Sequence, residues 1–231
     1  LATRRFRPPA ADSANDAKAL AMRSKTGSGG LAHILSCTFA GLAIALGITS
    51  AFVSSGALLR LVPSGVAYEQ VPFCCLGVYF CLFQLTAAIG RLATNTFIGA
   101  FDNKHPRSMK ARVLASTDHA PLRGWSLTAR MLSAHANTVE GLPIFLAGVY
   151  AAREMGMAPE RQATLAILVI VCRVLYIPLY AFDFDLLRSV VWSTSFCASL
   201  LSVMLPLLPE AVNDYMGRDG WLVLVVGDTC E

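Results

Sequence analysis

The sequence predicts an all-α integral membrane protein. Its 231 residues are 55% hydrophobic and only 15% charged, with a mean hydropathy of +0.55. Soluble domains carry about 25% charged residues. Several apolar runs here also reach the length of about 20 residues that a helix needs to cross the hydrocarbon core. These observations leave no soluble domain of useful size.

Five apolar runs predict five spanning helices. Pro63, Ser64 and Gly65 interrupt the chain after the first run, and Gly156 and Pro159 interrupt it after the third. The first run contains no Asp, Glu, Lys or Arg and is long enough to span the bilayer with tilt. The predicted spans are residues 31–59, 71–90, 127–152, 162–182 and 188–209.

The two ends of the chain are polar. Residues 1–30 form a basic arm rich in Ala and Ser, which predicts either an organellar targeting remnant or an ordinary basic arm. The segment from 31 to 62 then holds the first spanning helix, and residues 209–231 form a polar tail. The apolar stretch 221–226 in that tail is too short to cross a membrane.

The charge pattern indicates membrane topology. The net charge is only +4, and most of the 19 Lys and Arg residues fall on one predicted side: the basic arm, the region 91–130 and the turn 183–188. This asymmetry is typical of the positive-inside rule, so nucleic acid is not expected as a partner. The seven cysteines form no CxxC pair and no His/Cys ligand spacing, so neither a disulfide framework nor a metal site is expected.

Polar residues recur along the third predicted span at helical spacing. Arg130, Ser133, Asn137 and Glu140 step by three or four residues and therefore share one stripe. A charged carboxylate near the bilayer centre costs about 2.5–3.5 kcal/mol on insertion scales, so Glu140 needs a partner or a wet cavity. The stripe is therefore a candidate binding site, although Asn137 and Glu140 also fit a purely structural role as hydrogen-bonding links between helices.

A second polar stripe follows on the fourth span. Arg173, Tyr176 and Tyr180 are three and four residues apart, and Arg188 opens the fifth span. If these helices pack together, guanidinium groups, phenols, an amide and a carboxylate converge near the basic face. Such a pocket fits a zwitterionic peptide with several carboxylates. An arginine nearby would lower the pKa of a bound thiol from about 8.5 and raise its thiolate fraction.

The combined pattern resembles the MAPEG family, the membrane-associated proteins in eicosanoid and glutathione metabolism. The resemblance covers residues 71–208. The segment 102–107 and the Gly124-Trp125 pair are similar to the bacterial-type branch of that family. The motif residues that carry the resemblance are Arg130, His135, Asn137, Glu140, Pro143, Arg173, Tyr176, Tyr180, Arg188 and Ser189.

The resemblance implies a fold and a ligand. It implies a four-helix bundle over residues 71–208 that assembles as a homotrimer and binds glutathione between subunits, with one additional N-terminal transmembrane helix. Arg188 matches the arginine that stabilises the glutathione thiolate. The positions implied to hold glutathione are Arg130, Asn137, Glu140, Arg173, Tyr176 and Tyr180.

The chain also departs from the pattern of the eukaryotic synthases. Ser133 stands where those enzymes have an arginine, and Gly141 stands where they have a tyrosine. Tyr176 and Tyr180 also suit interfacial packing, and Arg188 suits a cation that snorkels to the membrane surface.

Two functions therefore stay open. The first is a glutathione-dependent transferase or peroxidase that acts on lipophilic electrophiles. The second is a non-catalytic accessory subunit of a large complex in a plastid or mitochondrial membrane. The expected location is an organellar membrane, with the endoplasmic reticulum as the alternative.

Overall fold

A computed structural model describes residues 27–97, 111 and 123–208, and it describes the side chains of residues 39–97, 111 and 127–208. Most of the predicted basic arm, the 102–107 segment and the polar tail lie outside the described residues. Five α-helices are described from end to end in these ranges: α1 (Gly27–Ser55), α2 (Val71–Phe97), α3 (Arg123–Glu154), α4 (Pro159–Ala181) and α5 (Asp185–Met204).

Each predicted span corresponds to one of these helices, with shifted ends. Helix α2 runs to Phe97, past the predicted end at Gly90, because Arg91 ends the apolar run without interrupting the helical backbone. Residues beyond α1 form a 3-10 turn, Ala57–Leu61, and a second such turn, Tyr68–Gln70, leads into α2. A third, Leu205–Leu207, follows α5. The all-helical class is confirmed for the described residues.

The chain divides into two compact units, residues 1–40 and 41–231. In the first unit the structure describes the helical backbone of residues 27–40. In the second unit, α2 packs against α3 and α4, α3 packs against α4 and α5, and α4 packs against α5. These four helices form the predicted four-helix bundle. Phe52 and Val53 of α1, which belong to the second unit, pack at the edge of the apolar core of that unit.

The bundle core combines large apolar side chains with buried hydroxyls. Tyr79 of α2 is fully buried, and its ring stacks on Phe145 of α3 at 5.4 Å. The Tyr79 hydroxyl donates to the backbone oxygen of Thr138 at 2.9 Å. A buried phenol in an apolar core needs such an acceptor, and this bond fixes the register of α2 against α3.

Helices α3 and α5 approach each other closely at Gly148. A Cβ atom there would lie 2.8 Å from the backbone oxygen of Ser199 and 3.0 Å from Cβ of Ser202. Small residues allow helix backbones to approach in this way, as in membrane bundles generally. The hydroxyls of Ser199 and Ser202 donate to backbone oxygens of their own helix, at 2.9 Å each, so they bring no unsatisfied polar group into the contact.

Three helical segments are long and apolar enough to cross a membrane: Tyr68–Phe97, Pro159–Ala181 and Asp185–Leu207. Helix α3 is long enough but is too polar to be among them, because it carries Arg130, His135, Asn137 and Glu140 in its first and middle turns. In α1 the apolar segment that has described side chains, Phe39–Ser55, is shorter than these three. Spanning by α1 and α3 therefore stays a prediction.

Candidate functional site

A cleft of about 240 Å³ lies where α3, α4 and α5 meet. Helix α3 contributes Asn137, and α4 contributes Tyr176 and Tyr180. Helix α5 contributes two pairs of adjacent residues. The pairs are four positions apart, about one helical turn, so all four residues lie on the same face of α5. The residues lining this cleft are Asn137, Tyr176, Tyr180, Arg188, Ser189, Trp192 and Ser193.

Asn137 links the two tyrosines. Its side-chain amide nitrogen donates to the Tyr176 hydroxyl at 2.6 Å and lies 3.3 Å from the Tyr180 hydroxyl. The two tyrosine rings meet edge to face, with centroids 5.0 Å apart. Tyr176 is buried, whereas Tyr180 is partly exposed. The amide and the two phenols thus form a connected polar wall, in which Tyr180 is the member that a ligand can reach.

Arg188 lies on the Tyr180 ring. The centre of its guanidinium is 4.4 Å from the ring centroid, the distance expected of a cation–π contact. Its Nη2 atom is 2.5 Å from Oδ1 of Asp185, one turn earlier on α5. Among the described residues that line the cleft, Arg188 is the only charged one, so this lining favours anionic groups.

Arg173 lies behind this wall and does not line the cleft. The residue is only 3% exposed. Its Nε donates to the Ser195 hydroxyl at 3.0 Å, and its Nη1 donates to the Asn137 backbone oxygen at 3.3 Å. Its guanidinium also lies 5.6 Å from the centroid of the Tyr79 ring and 5.9 Å from that of Tyr176.

Among the described residues no carboxylate pairs with Arg173. A buried cation of this kind depends on its hydrogen bonds and aromatic contacts, because its desolvation cost is otherwise not offset. Arg173 therefore positions Asn137 and Tyr176 rather than presenting its charge to the cleft.

The Arg173 guanidinium occupies the space beside Gly141. A Cβ atom at Gly141 would collide with Nη2 of Arg173 and lie 2.8 Å from the Tyr79 hydroxyl. Gly141 is the position at which the sequence resemblance implies that a tyrosine has been lost. In this chain the position has no room for any side chain while Arg173 keeps its place.

Arg130 serves the turn between α4 and α5. Its Nη2 donates to the backbone oxygen of Ala181 at 3.2 Å, and its Nη1 lies 3.5 Å from Oδ2 of Asp183. Asp183 has φ 66°, the left-handed conformation that often ends a helix. Arg130 therefore caps the C-terminal end of α4, where a cation also interacts favourably with the helix dipole. It is not among the residues that line the cleft.

Glu140 and His135 also lie outside the cleft. Glu140 is exposed on α3. Three helical positions correspond to about 300° of rotation, so Glu140 points well to one side of Asn137. His135 faces α2, where its Nδ1 is 3.2 Å from the Thr86 hydroxyl and its ring lies 5.0 Å from Phe83. Polar residues of this part of α3 thus contact different neighbouring segments rather than one shared site.

The structure brings together four of the predicted site residues: Asn137, Tyr176, Tyr180 and Arg188. It adds Ser189, Trp192 and Ser193, which were not among the predicted site residues. They could have been predicted from the position of Arg188, because they lie one, four and five positions further along α5 and therefore on the same face of the helix. Trp192 stacks on Phe196 at 5.4 Å with an interplanar angle of 11°, so an aromatic face continues from the cleft along α5.

The donor set suits a small anionic organic ligand. The cleft offers a guanidinium, two phenols, one amide, two hydroxyls and an indole. In the part of the chain that has described side chains, no group of three or more His, Cys, Asp or Glu residues is arranged to hold a metal ion. The chemistry available to these side chains is anion binding and stabilisation of a negative charge near Arg188.

Comparison with protein families assigns this bundle. The MAPEG family model matches residues 71–208, the range that contains α2, α3, α4 and α5. Comparisons with curated proteins and with solved structures found no match. The family match covers more than half of the chain and all four helices of the bundle. This integral membrane protein therefore belongs to the MAPEG family.

Proposed function

We propose that this protein is a glutathione-dependent transferase or peroxidase that acts on lipophilic electrophiles in a membrane. The observation that carries the proposal is the convergence of Arg188, Tyr180, Tyr176 and Asn137 on one cleft. Glutathione offers two carboxylates, an ammonium group and a thiol. A guanidinium beside phenol and amide hydrogen-bonding groups is suited to such an anionic peptide.

In this proposal Arg188 stabilises the thiolate of glutathione. The thiol loses its proton to solvent, and the sulfur attacks the electrophilic carbon of the second substrate. The new S–C bond forms as the leaving group departs with its electron pair. Tyr180 and Asn137 orient the peptide, while Arg173 and Tyr176 hold Asn137 in place.

The same thiolate serves a peroxidase reaction. The sulfur attacks a hydroperoxide oxygen, the O–O bond breaks, and an alcohol leaves after protonation. A second glutathione then reacts with the resulting sulfenic acid and releases glutathione disulfide and water. Both reactions need the same charge stabilisation at sulfur, so Arg188 is the common catalytic residue of the proposal.

The proposed active form is a homotrimer with the ligand between subunits. A volume of about 240 Å³ is below the roughly 300–1,000 Å³ typical of small-molecule sites. Glu140 is exposed on the surface of α3. A neighbouring copy that covers the cleft would enlarge the site and give the Glu140 carboxylate a function, such as binding the ammonium group of the peptide.

Glutathione binding and conjugation test this proposal. In purified protein, glutathione should raise the midpoint temperature of unfolding, and conjugation of an aromatic chloride such as chlorodinitrobenzene should be measurable. Arg188→Ala should abolish conjugation. Arg153→Ala is a matched control, since Arg153 also lies over an aromatic ring, Phe73 at 5.1 Å, but is remote from the cleft. A well-folded sample with neither a thermal shift nor activity would overturn the proposal.

A second candidate is a non-catalytic accessory subunit of a large organellar membrane complex. The observation that favours it is the placement of Arg130 and Glu140, two predicted glutathione ligands, outside the described lining of the cleft. This candidate predicts that the protein migrates with a large complex on a native gel in mild detergent. Migration solely as a small oligomer would exclude it.

A further inference from the structure

We propose that Asp185 sets the affinity of the cleft for anionic ligands, because its carboxylate competes with them for the guanidinium of Arg188. This inference rests on the proposed function, in which Arg188 meets a negative charge. It assigns a role in specificity to a residue that does not line the cleft. Asp185 would keep anion binding moderate, so that an anionic product can leave.

The geometry places Arg188 between two groups. Its Nη2 lies 2.5 Å from Oδ1 of Asp185, and the centre of its guanidinium lies 4.4 Å from the centroid of the Tyr180 ring. The Arg188 side chain is 23% exposed, whereas that of Asp185 is 77% exposed. The carboxylate therefore pairs with the guanidinium at an exposed position, while Arg188 also lines the cleft.

The charges determine the direction of the effect. An anion in the cleft meets a guanidinium that is already partly neutralised, and it is also repelled by the nearby carboxylate. A solvent-exposed ion pair is weak, so an incoming anion can displace it or share the guanidinium. Replacing the carboxylate by an amide of the same shape removes the competition and keeps the side-chain size.

Asp183 provides a matched control in the same turn. It lies two residues before Asp185, and its side chain is also well exposed, at 58%. Its carboxylate pairs with Nη1 of Arg130 at 3.5 Å, outside the cleft. Asparagine tolerates the left-handed conformation of residue 183. Asp183→Asn therefore removes one negative charge from the turn without freeing Arg188.

The test compares the full-length wild type with Asp185→Asn, Asp185→Glu and Asp183→Asn. Isothermal titration calorimetry in detergent measures the dissociation constant of glutathione at low and high salt. We expect Asp185→Asn to bind glutathione about two- to fivefold more tightly at low salt, the range that an exposed ion pair allows. The gain should shrink at high salt because exposed charges are screened. The other two variants should match the wild type.

A gain in affinity separates this role from a structural one, since a variant that merely disturbs the turn would bind more weakly. Unchanged or weaker binding by Asp185→Asn would overturn the inference, as would an equal gain in Asp183→Asn.

If the wild type does not bind glutathione at all, the proposed function fails, and sulfate then serves as the probe. The inference survives if sulfate raises the unfolding temperature of Asp185→Asn more than that of the wild type and if the added substitution Arg188→Ala removes the difference. Equal shifts in the wild type and Asp185→Asn would overturn it.

Discussion

The guanidinium of Arg173 fills the space that a side chain at Gly141 would need. The two residues lie on neighbouring helices, α4 and α3, and a Cβ atom at position 141 would collide with Nη2 of Arg173. The absence of a side chain at 141 therefore lets a buried cation reach the Asn137 backbone oxygen and the Ser195 hydroxyl. The organisation of the cleft wall depends on this pairing of a glycine with an arginine.

Substitution of Gly141 should destabilise the bundle. Gly141→Ala forces Arg173 or Tyr79 to move, and overpacking of this kind costs about 1–3 kcal/mol. Gly77→Ala is the control, because a Cβ atom at this exposed position of α2 meets nothing within 4 Å. Alanine is the better helix former by about 1 kcal/mol, so Gly77→Ala should be neutral or stabilising. Thermal unfolding in detergent measures both, and equal midpoints would contradict the contact.

The two cleft tyrosines should respond differently to loss of their hydroxyls. Tyr176→Phe removes the 2.6 Å acceptor of the partly buried Asn137 amide, and loss of such a hydrogen bond costs about 0.5–1.5 kcal/mol. Tyr180→Phe removes only a 3.3 Å contact from a partly exposed residue, so its effect on stability should be small. Under the proposed function, Tyr180→Phe should instead weaken glutathione binding. Chemical unfolding and calorimetry separate the two effects, and the reverse order would refute this assignment.

At position 183 a glycine variant should be more stable than an alanine variant, the reverse of the usual order inside helices. Asp183 has φ 66°, and the left-handed conformation costs an ordinary residue about 1–2 kcal/mol. Asp183→Ala keeps that cost and loses the contact with Arg130, whereas Asp183→Gly loses the contact but removes the cost. We expect the glycine variant to be more stable by about 1 kcal/mol, as measured by thermal unfolding. A more stable alanine variant would show that residue 183 leaves the left-handed region.

Lipid contact of α2 predicts the reactivity of one cysteine. Cys81 is exposed on the surface of the protein in the middle of an apolar span. In intact membranes a charged, membrane-impermeant maleimide should not modify it, because hydrocarbon excludes both the reagent and the thiolate. Ser64→Cys, in the exposed loop before α2, should be labelled from the side it faces. Mass spectrometry of the Cys81 peptide provides the readout, and labelling of Cys81 in membranes would contradict a spanning α2.

Much of the fold follows from hydrophobic length and helical spacing. The apolar runs predict all five helices within a few residues of their observed ends, except where α2 continues beyond Arg91. The spacing of Tyr176 and Tyr180 predicts a shared face on α4. Asn137 and Arg188 are also predicted site residues, and the structure brings both to the cleft. Local periodicity suffices here because a bundle of parallel and antiparallel helices keeps one face of each helix inward.

The roles of Arg130, Glu140 and Arg173 were not predictable in the same way. That they hold glutathione stays a prediction; in the structure Arg130 caps α4, Glu140 is exposed, and Arg173 is buried behind the cleft wall. A helical stripe gives the direction of a side chain only to within about 60°, because three or four residues never make one whole turn. Long polar side chains add further reach, so their partners depend on the neighbouring helices.

Hydrophobic length and motif spacing are enough to identify this chain as a helical membrane protein and residues 71–208 as a MAPEG-like pattern. Which of its polar residues meet depends on how the helices pack. Burial of an arginine in the bundle required acceptors from two other helices and a glycine beside it, and none of these is adjacent in the chain. Long-range packing therefore selected Arg188 for the cleft and Arg173 for its support.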